Sequence, residues 1–130
     1  MTTVLLDTHV LHWWSAEPER LSERAADVIE AADEVVVASI TWYELAWLAA
    51  HGRIALTIPV DAWLDRLARD IGTAVTPWRT SLAAAALPAE FPGDPADRLI
   101  CATAVVRGHP LVTKDRRLRD HPEAGNPTVW

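Results

Sequence analysis

The stretch Thr3-Val4-Leu5-Leu6-Asp7-Thr8-His9 decides the fold, because it joins an apolar run directly to a carboxylate. Val4, Leu5 and Leu6 show no alternation of apolar and polar residues, which indicates a strand buried on both faces, as in the middle of a parallel sheet. Asp7 then stands at the carboxyl end of a central strand, where open α/β sheets bind their ligands. Since an isolated buried charge is costly, Asp7 must be paired, hydrogen-bonded or metal-bound.

The composition indicates a single globular domain spanning residues 1–130, of which 50% are hydrophobic and 23% charged. No apolar run approaches the ~20 residues of a membrane span, and no basic region followed by an apolar segment marks a signal peptide. The single cysteine, Cys101, lies in an apolar helical pattern, so we interpret it as a core residue rather than a nucleophile. We therefore expect a cytoplasmic protein without membrane contacts.

The charge balance limits how the chain can meet nucleic acid. A formal net charge of −6 argues against a protein that coats nucleic acid non-specifically, but it is compatible with an enzyme that holds a few phosphates locally. Seven tryptophans are many for this length. We expect most of them in the core, and we consider Trp13-Trp14 and Trp42 to Trp47 as candidate contacts with another chain.

Strands and helices alternate along the sequence. Besides the first strand, strands are predicted at 34–38, 73–76, 111–113 and 127–129. Helices are predicted at 10–14, 19–32, 40–51, 60–71, 80–87 and 95–107, with a helical turn at 116–119 and a loop at 88–95. Ser39 is the predicted cap of the 40–51 helix, and Gly108 ends the 95–107 helix. This alternation predicts an α/β sandwich with a mostly parallel sheet.

Four acidic residues fall where this layout directs side chains to one edge of the sheet. Besides Asp7, Glu44 lies one turn into the helix after the second strand. Asp97 lies in the first turn of a later helix, and Asp115 follows the fourth strand directly. Residues after strands, and in the first turns of the helices that follow, converge at the carboxyl edge of an α/β sheet. Asp94, three residues before Asp97, is a further candidate.

Helix capping is the competing explanation for these acids. Thr41-Trp42-Tyr43-Glu44 matches a capping box, and Asp94-Pro95-Ala96-Asp97 matches an N-cap followed by a proline and an acid. Asp115 suits the cap of the turn that follows it. Taken singly, capping is the simpler explanation for each acid except Asp7, which follows apolar strand residues.

Taken together, the four acids favour a metal site. Carboxylates clustered in a low dielectric repel one another, so such a cluster persists only with shared protons or bound cations. Oxygen ligands without a Cys or His pair at zinc spacing suit Mg²⁺ or Mn²⁺, and the natural chemistry of such a site is hydrolysis of a phosphodiester. His9 and His12 share a helix face, but no third ligand at matching spacing joins them. His51, His109 and His121 lie at element ends and are expected in solvent.

Basic residues are sparse, yet four of them surround Asp115: Lys114, Arg116, Arg117 and Arg119. A solvated face is the ordinary explanation of such a run, whereas beside an acidic metal site it suits the phosphates of a substrate. Both explanations remain open. Arg98, adjacent to Asp97, is a candidate partner for Asp94 or for the scissile phosphate.

The ordered set of these motifs resembles the PIN domain family, and within it most closely the VapC-type toxins of bacterial toxin–antitoxin pairs. The resemblance rests on four segments along the whole chain: Leu5-Leu6-Asp7-Thr8-His9, Ser39-Ile40-Thr41-Trp42-Tyr43-Glu44-Leu45, Asp94-Pro95-Ala96-Asp97-Arg98-Leu99-Ile100 and Val112-Thr113-Lys114-Asp115. No single segment is specific for this family, but the four segments in this order are.

The resemblance implies a three-layer α/β/α sandwich with a parallel sheet of about five strands. It also implies Mg²⁺- or Mn²⁺-dependent cleavage of RNA, a small antitoxin as partner, and a homodimer. The acid positions of the family fall on Asp7, Glu44, Asp97 and Asp115, with Asp7 and Asp97 as the principal metal ligands. Its supporting polar positions fall on Thr8, Ser39 and Thr113.

Two other functions compete with a ribonuclease. A phosphoacceptor receiver domain has a similar length, an acidic Mg²⁺ pocket, and a Thr and a Lys near its last strands, here Thr113 and Lys114. Such a domain requires adjacent acids after its first strand, whereas Asp7 is followed by Thr8, and an acceptor Asp after its third strand, which here ends in Thr76-Pro77. A catalytically silent binding module, in which the acids only cap helices, is the third possibility.

Overall fold

Five short strands form one sheet in the computed structural model, which describes residues 1–92, 94–120 and 127–130. The strands are β1 (Thr3–Leu6), β2 (Glu34–Ala38), β3 (Gly72–Ala74), β4 (Leu111–Val112) and β5 (Thr128–Val129). All neighbouring strands are parallel, and their order is β3-β2-β1-β4-β5. The chain thus builds outward from β1 to one side and then returns to place β4 on its other side. The strand order therefore reverses between β1 and β4.

Helices cover both faces of the sheet. They are α1 (Thr8–Ala16), α2 (Glu23–Ala31), α3 (Ser39–Ala50), α4 (Val60–Asp70), α5 (Trp78–Ala85), α6 (Pro95–Arg107) and the short α7 (Arg116–Arg119). Side chains of α1, α2, α3 and α4 pack with one face of the sheet, and those of α6 and α7 pack with the other. The predicted three-layer α/β/α sandwich with a parallel sheet is confirmed.

The central strand is buried on both faces, as its unbroken apolar run predicts. Val4 and Leu6 belong to the core on one side of the sheet, while Leu5 belongs to the core on the other. Cys101 is part of the second core, where burial raises the pKa of its thiol to about 11. Its expected role as a small core residue is therefore confirmed.

Two of the differences from the predicted element boundaries have a clear local cause. The 19–32 helix is in fact a 3₁₀ turn at Pro18–Arg20 followed by α2, because the Ser22 hydroxyl accepts a 3.0 Å hydrogen bond from the Ala25 amide and starts a new helix. Strand β3 begins at Gly72, one residue before the start of the predicted 73–76 strand. A Cβ atom on Gly72 would lie 3.0 Å from Cγ1 of Val36, so the missing side chain lets β3 approach β2.

Helix α6 begins and ends as predicted. The side chain of Asp94 accepts hydrogen bonds from the amides of Ala96 and Asp97, Pro95 is the first helical residue, and Gly108 ends the helix with a positive φ of 70°. His121 lies outside the described residues. Among those that are described, none of the helices has the length and apolar character needed to cross a membrane.

Candidate active site

A cavity of about 350 Å³ lies at the carboxyl edge of the sheet, where β1 and β4 end. This is the point of strand-order reversal at which α/β sheets form ligand sites. The cavity is lined by every acid singled out in the sequence: Asp7, Glu44, Asp94, Asp97 and Asp115. We call it the acid cavity. The predicted convergence of these carboxylates is therefore present in the structure.

Asp7 is held from two directions. Its Oδ1 accepts a hydrogen bond of 2.8 Å from the Thr8 amide, and its Oδ2 accepts one of 2.8 Å from the Thr113 hydroxyl. The side chain is buried, and this burial raises the pKa of the carboxyl group above its ordinary value despite both hydrogen bonds. Asp7 is also the N-cap of α1. Capping was expected for the other acids and not for Asp7, and for Asp7 this expectation was wrong.

Glu44 is tied to the first helix by a network of hydroxyl groups. The Thr8 hydroxyl donates a 2.5 Å hydrogen bond to Oε1 of Glu44, and the hydroxyl groups of Thr8 and Thr41 lie 3.1 Å apart. Burial, followed by the charges of Asp7 and Asp94, raises the pKa of Glu44, although the Thr8 hydrogen bond opposes the shift.

Neither predicted cap of α3 is present. Strand β2 runs directly into the helix, and Ala38 occupies the N-cap, so Thr41 lies inside the first turn and the capping box does not form. Ser39 is the first helical residue, and its hydroxyl lies 2.9 Å from that of Thr76, beyond the end of β3. Thr8 and Thr113 therefore contact the acids directly, whereas Ser39 supports the neighbouring loop.

Asp97 carries the clearest electrostatic perturbation of the site. Burial, together with the charges of Asp7, Asp94 and Asp115, raises the pKa of its carboxyl group to about 7. A carboxylate with so high a pKa is a group on which negative charge is not fully compensated.

Arg117 supplies the partial compensation. Its Nη2 atom lies 3.3 Å from Oδ2 of Asp97 and 2.7 Å from Oδ2 of Asp115, so one guanidinium nitrogen bridges both acids. The hydrogen bonds from Arg117 lower the pKa of Asp115, which also caps α7 through the Arg117 amide. Asp115 therefore caps α7, as predicted, and also lines the acid cavity.

The donor set fits a hard divalent cation. The cavity offers carboxylate oxygens from four separate segments, and mutual repulsion acts between the charges of Asp7, Asp97 and Asp115. In the described part of the chain, no three His, Cys, Asp or Glu side chains form a preformed metal centre. Hydroxyl, amide and guanidinium donors hold the carboxylates in this arrangement, and a cation would replace part of these contacts.

The sequence model of the PIN domain matches residues 4–124. The chain belongs to the PIN domain family. The family predicted from the four ordered segments is therefore confirmed.

A curated relative supports the membership over the full chain. Ribonuclease VapC22 of Mycobacterium tuberculosis (strain ATCC 25618 / H37Rv) is 60% identical over 131 residues, and the alignment covers 100% of each chain.

Solved structures share the fold of this PIN domain at low identity. VapBC2 from Rickettsia felis, bound to a DNA fragment from its promoter, matches with a TM-score of 0.72 and 14% identity over 98% of this chain and 97% of that chain. VapBC-1 from nontypeable Haemophilus influenzae matches with a TM-score of 0.73 and 14% identity over 98% of this chain and 96% of that chain.

The basic run of the PIN domain divides into two pairs. Lys114 and Arg117 line the acid cavity. The Lys114 Nζ atom lies 5.6 Å from the ring centre of Trp13 and 6.0 Å from that of Trp130, so two indole faces hold the ammonium beside the acids. Arg116 and Arg119 are exposed and do not line the cavity, and a guanidinium nitrogen of Arg119 lies 3.4 Å from the Lys114 carbonyl oxygen. The sequence alone did not reveal the two tryptophans around Lys114, because Trp130 reaches the site only through the pairing of β5 with β4.

Arg98 has a structural role that corrects its assignment to Asp94 or to the scissile phosphate. Its guanidinium nitrogens donate hydrogen bonds to five backbone carbonyl oxygens, those of Ala84, Leu87, Pro88, Phe91 and Pro92, at 3.0 to 3.3 Å. The guanidinium also lies over the Phe91 ring, with Cζ 5.7 Å from the ring centre. Arg98 therefore holds the loop between α5 and α6 rather than a ligand.

The two histidines of α1 have separate environments. His9 lines the acid cavity, and its ring lies 5.9 Å from that of Trp13. His12 packs edge-on against Trp63 and lies 3.4 Å from the carboxylate of Glu17, away from the acids. A shared His9–His12 metal site is therefore excluded.

Proposed function

We propose that this PIN domain is a Mg²⁺- or Mn²⁺-dependent endoribonuclease that hydrolyses phosphodiester bonds of RNA, and that it is the toxin of a toxin–antitoxin pair. The observation that carries the proposal is the convergence of Asp7, Glu44, Asp97 and Asp115 in one cavity at the end of the sheet. Such an arrangement costs stability through burial and mutual repulsion, which is typical of a site retained for its chemistry rather than for the fold.

We assign the cation to Asp7 and Asp97, with Glu44 and Asp115 completing the acidic surround. A bound divalent ion supplies activation of a water molecule and compensation of charge on the phosphate oxygens. The Thr113 and Thr8 hydroxyls orient Asp7 and Glu44 by the hydrogen bonds described above. Lys114 and Arg117 lie at the same cavity and suit the phosphates on either side of the bond that is cut.

The 60% identity with Ribonuclease VapC22 over both whole chains supports ribonuclease activity. A small antitoxin as partner is supported by the fold shared with the toxin–antitoxin complexes VapBC2 and VapBC-1.

We further propose a homodimer formed through the exposed apolar side chains of α5 and its surroundings. Trp78 and Leu82, one turn apart on α5, are 69% and 61% exposed, and Val106 of α6 is 49% exposed. Val75, which precedes α5 in the chain, is 59% exposed. Of the tryptophans suggested by the sequence, Trp13 is buried and Trp42 bonds Thr73 through its indole nitrogen. Trp14 and Trp47 are 37% and 41% exposed, which is less than Trp78 and Leu82.

The receiver-domain alternative is inconsistent with the topology. Receiver domains have the strand order 2-1-3-4-5, whereas here β1 lies between β2 and β4 and the third strand is at the edge. The silent binding module remains as the outcome that experiment must exclude.

Incubation of total cellular RNA with the purified protein tests the proposal. We expect cleavage that requires Mg²⁺ or Mn²⁺, disappears with a chelator, and is lost in Asp7→Asn. Asp61→Asn is the matched control, because Asp61 is an exposed first-turn acid of α4 outside the acid cavity. Equal cleavage by wild type and Asp7→Asn, or none by wild type with either ion, would contradict the proposal.

A further inference from the structure

Lys114 lines the same cavity as the acids but does not pair with them. In the part of the chain that the structure describes, the ion pairs of this cavity are those of Arg117 with Asp97 and Asp115, at 3.3 and 2.7 Å. An ammonium group on a flexible four-carbon stem is drawn towards nearby carboxylates unless other contacts oppose the attraction. Other contacts must therefore keep this cation apart from the acids.

The backbone on either side of Lys114 is fixed by the sheet and by a helix cap. The Thr113 amide donates a 3.1 Å hydrogen bond to the carbonyl oxygen of Val129 in β5. The Thr113 hydroxyl accepts a 3.0 Å hydrogen bond from the Asp115 amide, and the Asp115 side chain caps α7. These bonds fix where the Lys114 side chain begins, whereas its stem still has several rotamers.

Two indole rings hold the far end of this stem. Trp13 of α1 and Trp130, which follows β5, have ring centres 6.0 Å apart and an angle of 61° between their planes. The Lys114 Nζ atom lies 5.6 Å from the first ring centre and 6.0 Å from the second. Both distances are within the range of about 6 Å over which an aromatic ring attracts a cation. We call Trp13 and Trp130 the indole clamp.

Both rings of the indole clamp are anchored in the fold. Trp13 is 9% exposed, and Cζ of Arg20 lies 4.8 Å from its ring centre. Trp130 is half-buried and packs against the core that includes Leu6 of β1. Among the described residues that line the acid cavity, Trp13 is included and Trp130 is not. Any effect of Trp130 on the cavity therefore passes through Lys114 or Trp13.

An ammonium group held by indole rings keeps its charge available to an anion. Pairing with a carboxylate would cancel that charge, whereas an aromatic ring attracts the cation without neutralising it. The acid cavity has five acidic side chains and the chain has a net charge of −6, so a phosphodiester that approaches meets repulsion. Lys114 is exposed and offsets this repulsion at the cavity. Restricting its stem beforehand also lowers the entropy lost on binding.

We propose that Trp130 is a positioning residue of the active site. Together with Trp13 it holds the Lys114 ammonium apart from the carboxylates, where this ammonium binds a phosphate of the RNA next to the bond that is cut. The inference rests on the proposed ribonuclease function and adds to it a residue from outside the acid cavity.

Steady-state cleavage of one RNA oligonucleotide, chosen because wild type cuts it, tests the inference. Trp130→Leu keeps an apolar side chain on the core and removes the aromatic ring. We expect it to raise KM by roughly 2- to 30-fold with little change in kcat, since the cation–π contact acts in ground state and transition state alike. Trp130→Phe keeps a ring and should recover most of this loss. Trp42→Leu is the matched control, because Trp42 is a half-buried indole on the same core and does not line the acid cavity.

A double-mutant cycle with Lys114 separates positioning from a general effect on the fold. Lys114→Met keeps an unbranched stem without the charge, and it should itself raise KM. In that background Trp130→Leu should raise KM no further, because the cation on which the indole clamp acts is absent. Equal fold-changes of KM in the two backgrounds, or a wild-type KM for Trp130→Leu, would overturn the inference. Trp130→Phe as impaired as Trp130→Leu would overturn it as well.

RNA binding without cleavage distinguishes failure of this inference from failure of the proposed function. Affinity for the same oligonucleotide is measured in an Asp97→Asn background, which we expect to bind RNA without cutting it. Weaker binding after Trp130→Leu and after Lys114→Met, with no further loss when they are combined, supports the indole clamp even where wild type cleaves no RNA. Unchanged affinity after Trp130→Leu overturns this inference alone. Absence of RNA binding by both Asp97→Asn and wild type contradicts the inference and the proposed function together.

Discussion

The Thr113 hydroxyl donates a 2.8 Å hydrogen bond to Asp7 across 106 residues of sequence. The parallel pairing of β1 with β4 places the first residue after each strand side by side at the edge of the sheet. The same hydroxyl accepts a 3.0 Å hydrogen bond from the Asp115 amide, so one buried threonine positions the acids that follow two strands.

Thr113→Val should affect both stability and the pH dependence of cleavage. The loss of a buried hydrogen bond to a charged group costs about 1.5–3 kcal/mol of unfolding free energy. The pKa of Asp7, already raised by burial, should rise further, so activity should appear at higher pH than in wild type. Urea unfolding and a pH–rate profile measure the two effects. Thr113→Ser keeps the hydroxyl, and a profile for Thr113→Ser shifted as far as that of Thr113→Val would contradict this role.

Asp97→Asn should stabilise the metal-free protein while abolishing cleavage. The pKa of Asp97 is about 7 in the folded state, above the ordinary value of 3.8. Folding therefore gains stability when Asp97 is protonated, and this gain is lost as the pH rises towards 7. Asparagine does not ionise, so Asp97→Asn should avoid this loss, which amounts to at most ~4 kcal/mol of unfolding free energy.

Thermal melts in a chelator test this pH dependence. The difference in Tm between Asp97→Asn and wild type should be near zero below about pH 4, widen up to about pH 7 and stay constant above it. Asp61→Asn should show no such trend. A lower Tm for Asp97→Asn throughout would mean that Asp97 acts only as a helix first-turn acid.

Arg117 and Arg116 should differ in RNA binding although they are adjacent. Arg117 lines the acid cavity and bridges two acids, while Arg116 is exposed outside it. Arg117→Ala should reduce the salt dependence of RNA binding by a slope of about one, for one lost phosphate contact. Arg116→Ala should leave the slope unchanged. The measurement is RNA affinity over a series of salt concentrations. Equal slopes of log affinity against log salt for both variants would place Arg117 outside the RNA interface.

Arg98→Lys should destabilise the fold nearly as much as Arg98→Ala, because an ammonium group cannot satisfy five carbonyl oxygens that a guanidinium fork reaches. We expect a loss of about 1–3 kcal/mol for either variant, measured by urea unfolding. Cleavage per folded molecule should persist. Loss of cleavage with unchanged stability would instead assign Arg98 to substrate binding.

Trp78→Glu combined with Leu82→Glu should convert a dimer to a monomer, because charges replace the two most exposed apolar side chains of α5. Sedimentation equilibrium over a range of concentrations reports the mass. Trp14→Glu, on an exposed indole of α1, should leave the mass unchanged. A monomeric wild type, or a dimer that survives the double substitution, would contradict this interface.

The positions of the acids at one sheet edge were predictable, because the hydrophobic periodicity gives the order of strands and helices along the chain. A buried strand that ends in Asp7, and a cap-proline-acid motif at Asp94, both place carboxylates at one sheet edge whatever the exact helix boundaries are. The cap of α3 was not predictable, because Ala38 passes from strand to helix without a capping side chain and leaves Thr41 free to join Thr8.

Side-chain direction was the harder part of the prediction. Arg98 is next to Asp97 in sequence, but consecutive residues of a helix point about 100° apart, so the two side chains serve different neighbours. The exposure of Trp47 and Trp78 likewise depends on which helices pack on which face. Apolar spacing alone does not reveal this.

The rate of RNA cleavage as a function of Mn²⁺ concentration tests the central claim most directly. We predict that the rate for wild type rises from zero and saturates, and that Asp97→Asn shows no metal-dependent rate at any concentration while remaining folded. Cleavage by wild type that is indifferent to Mn²⁺ and Mg²⁺, or the same saturation curve for Asp97→Asn, would contradict it.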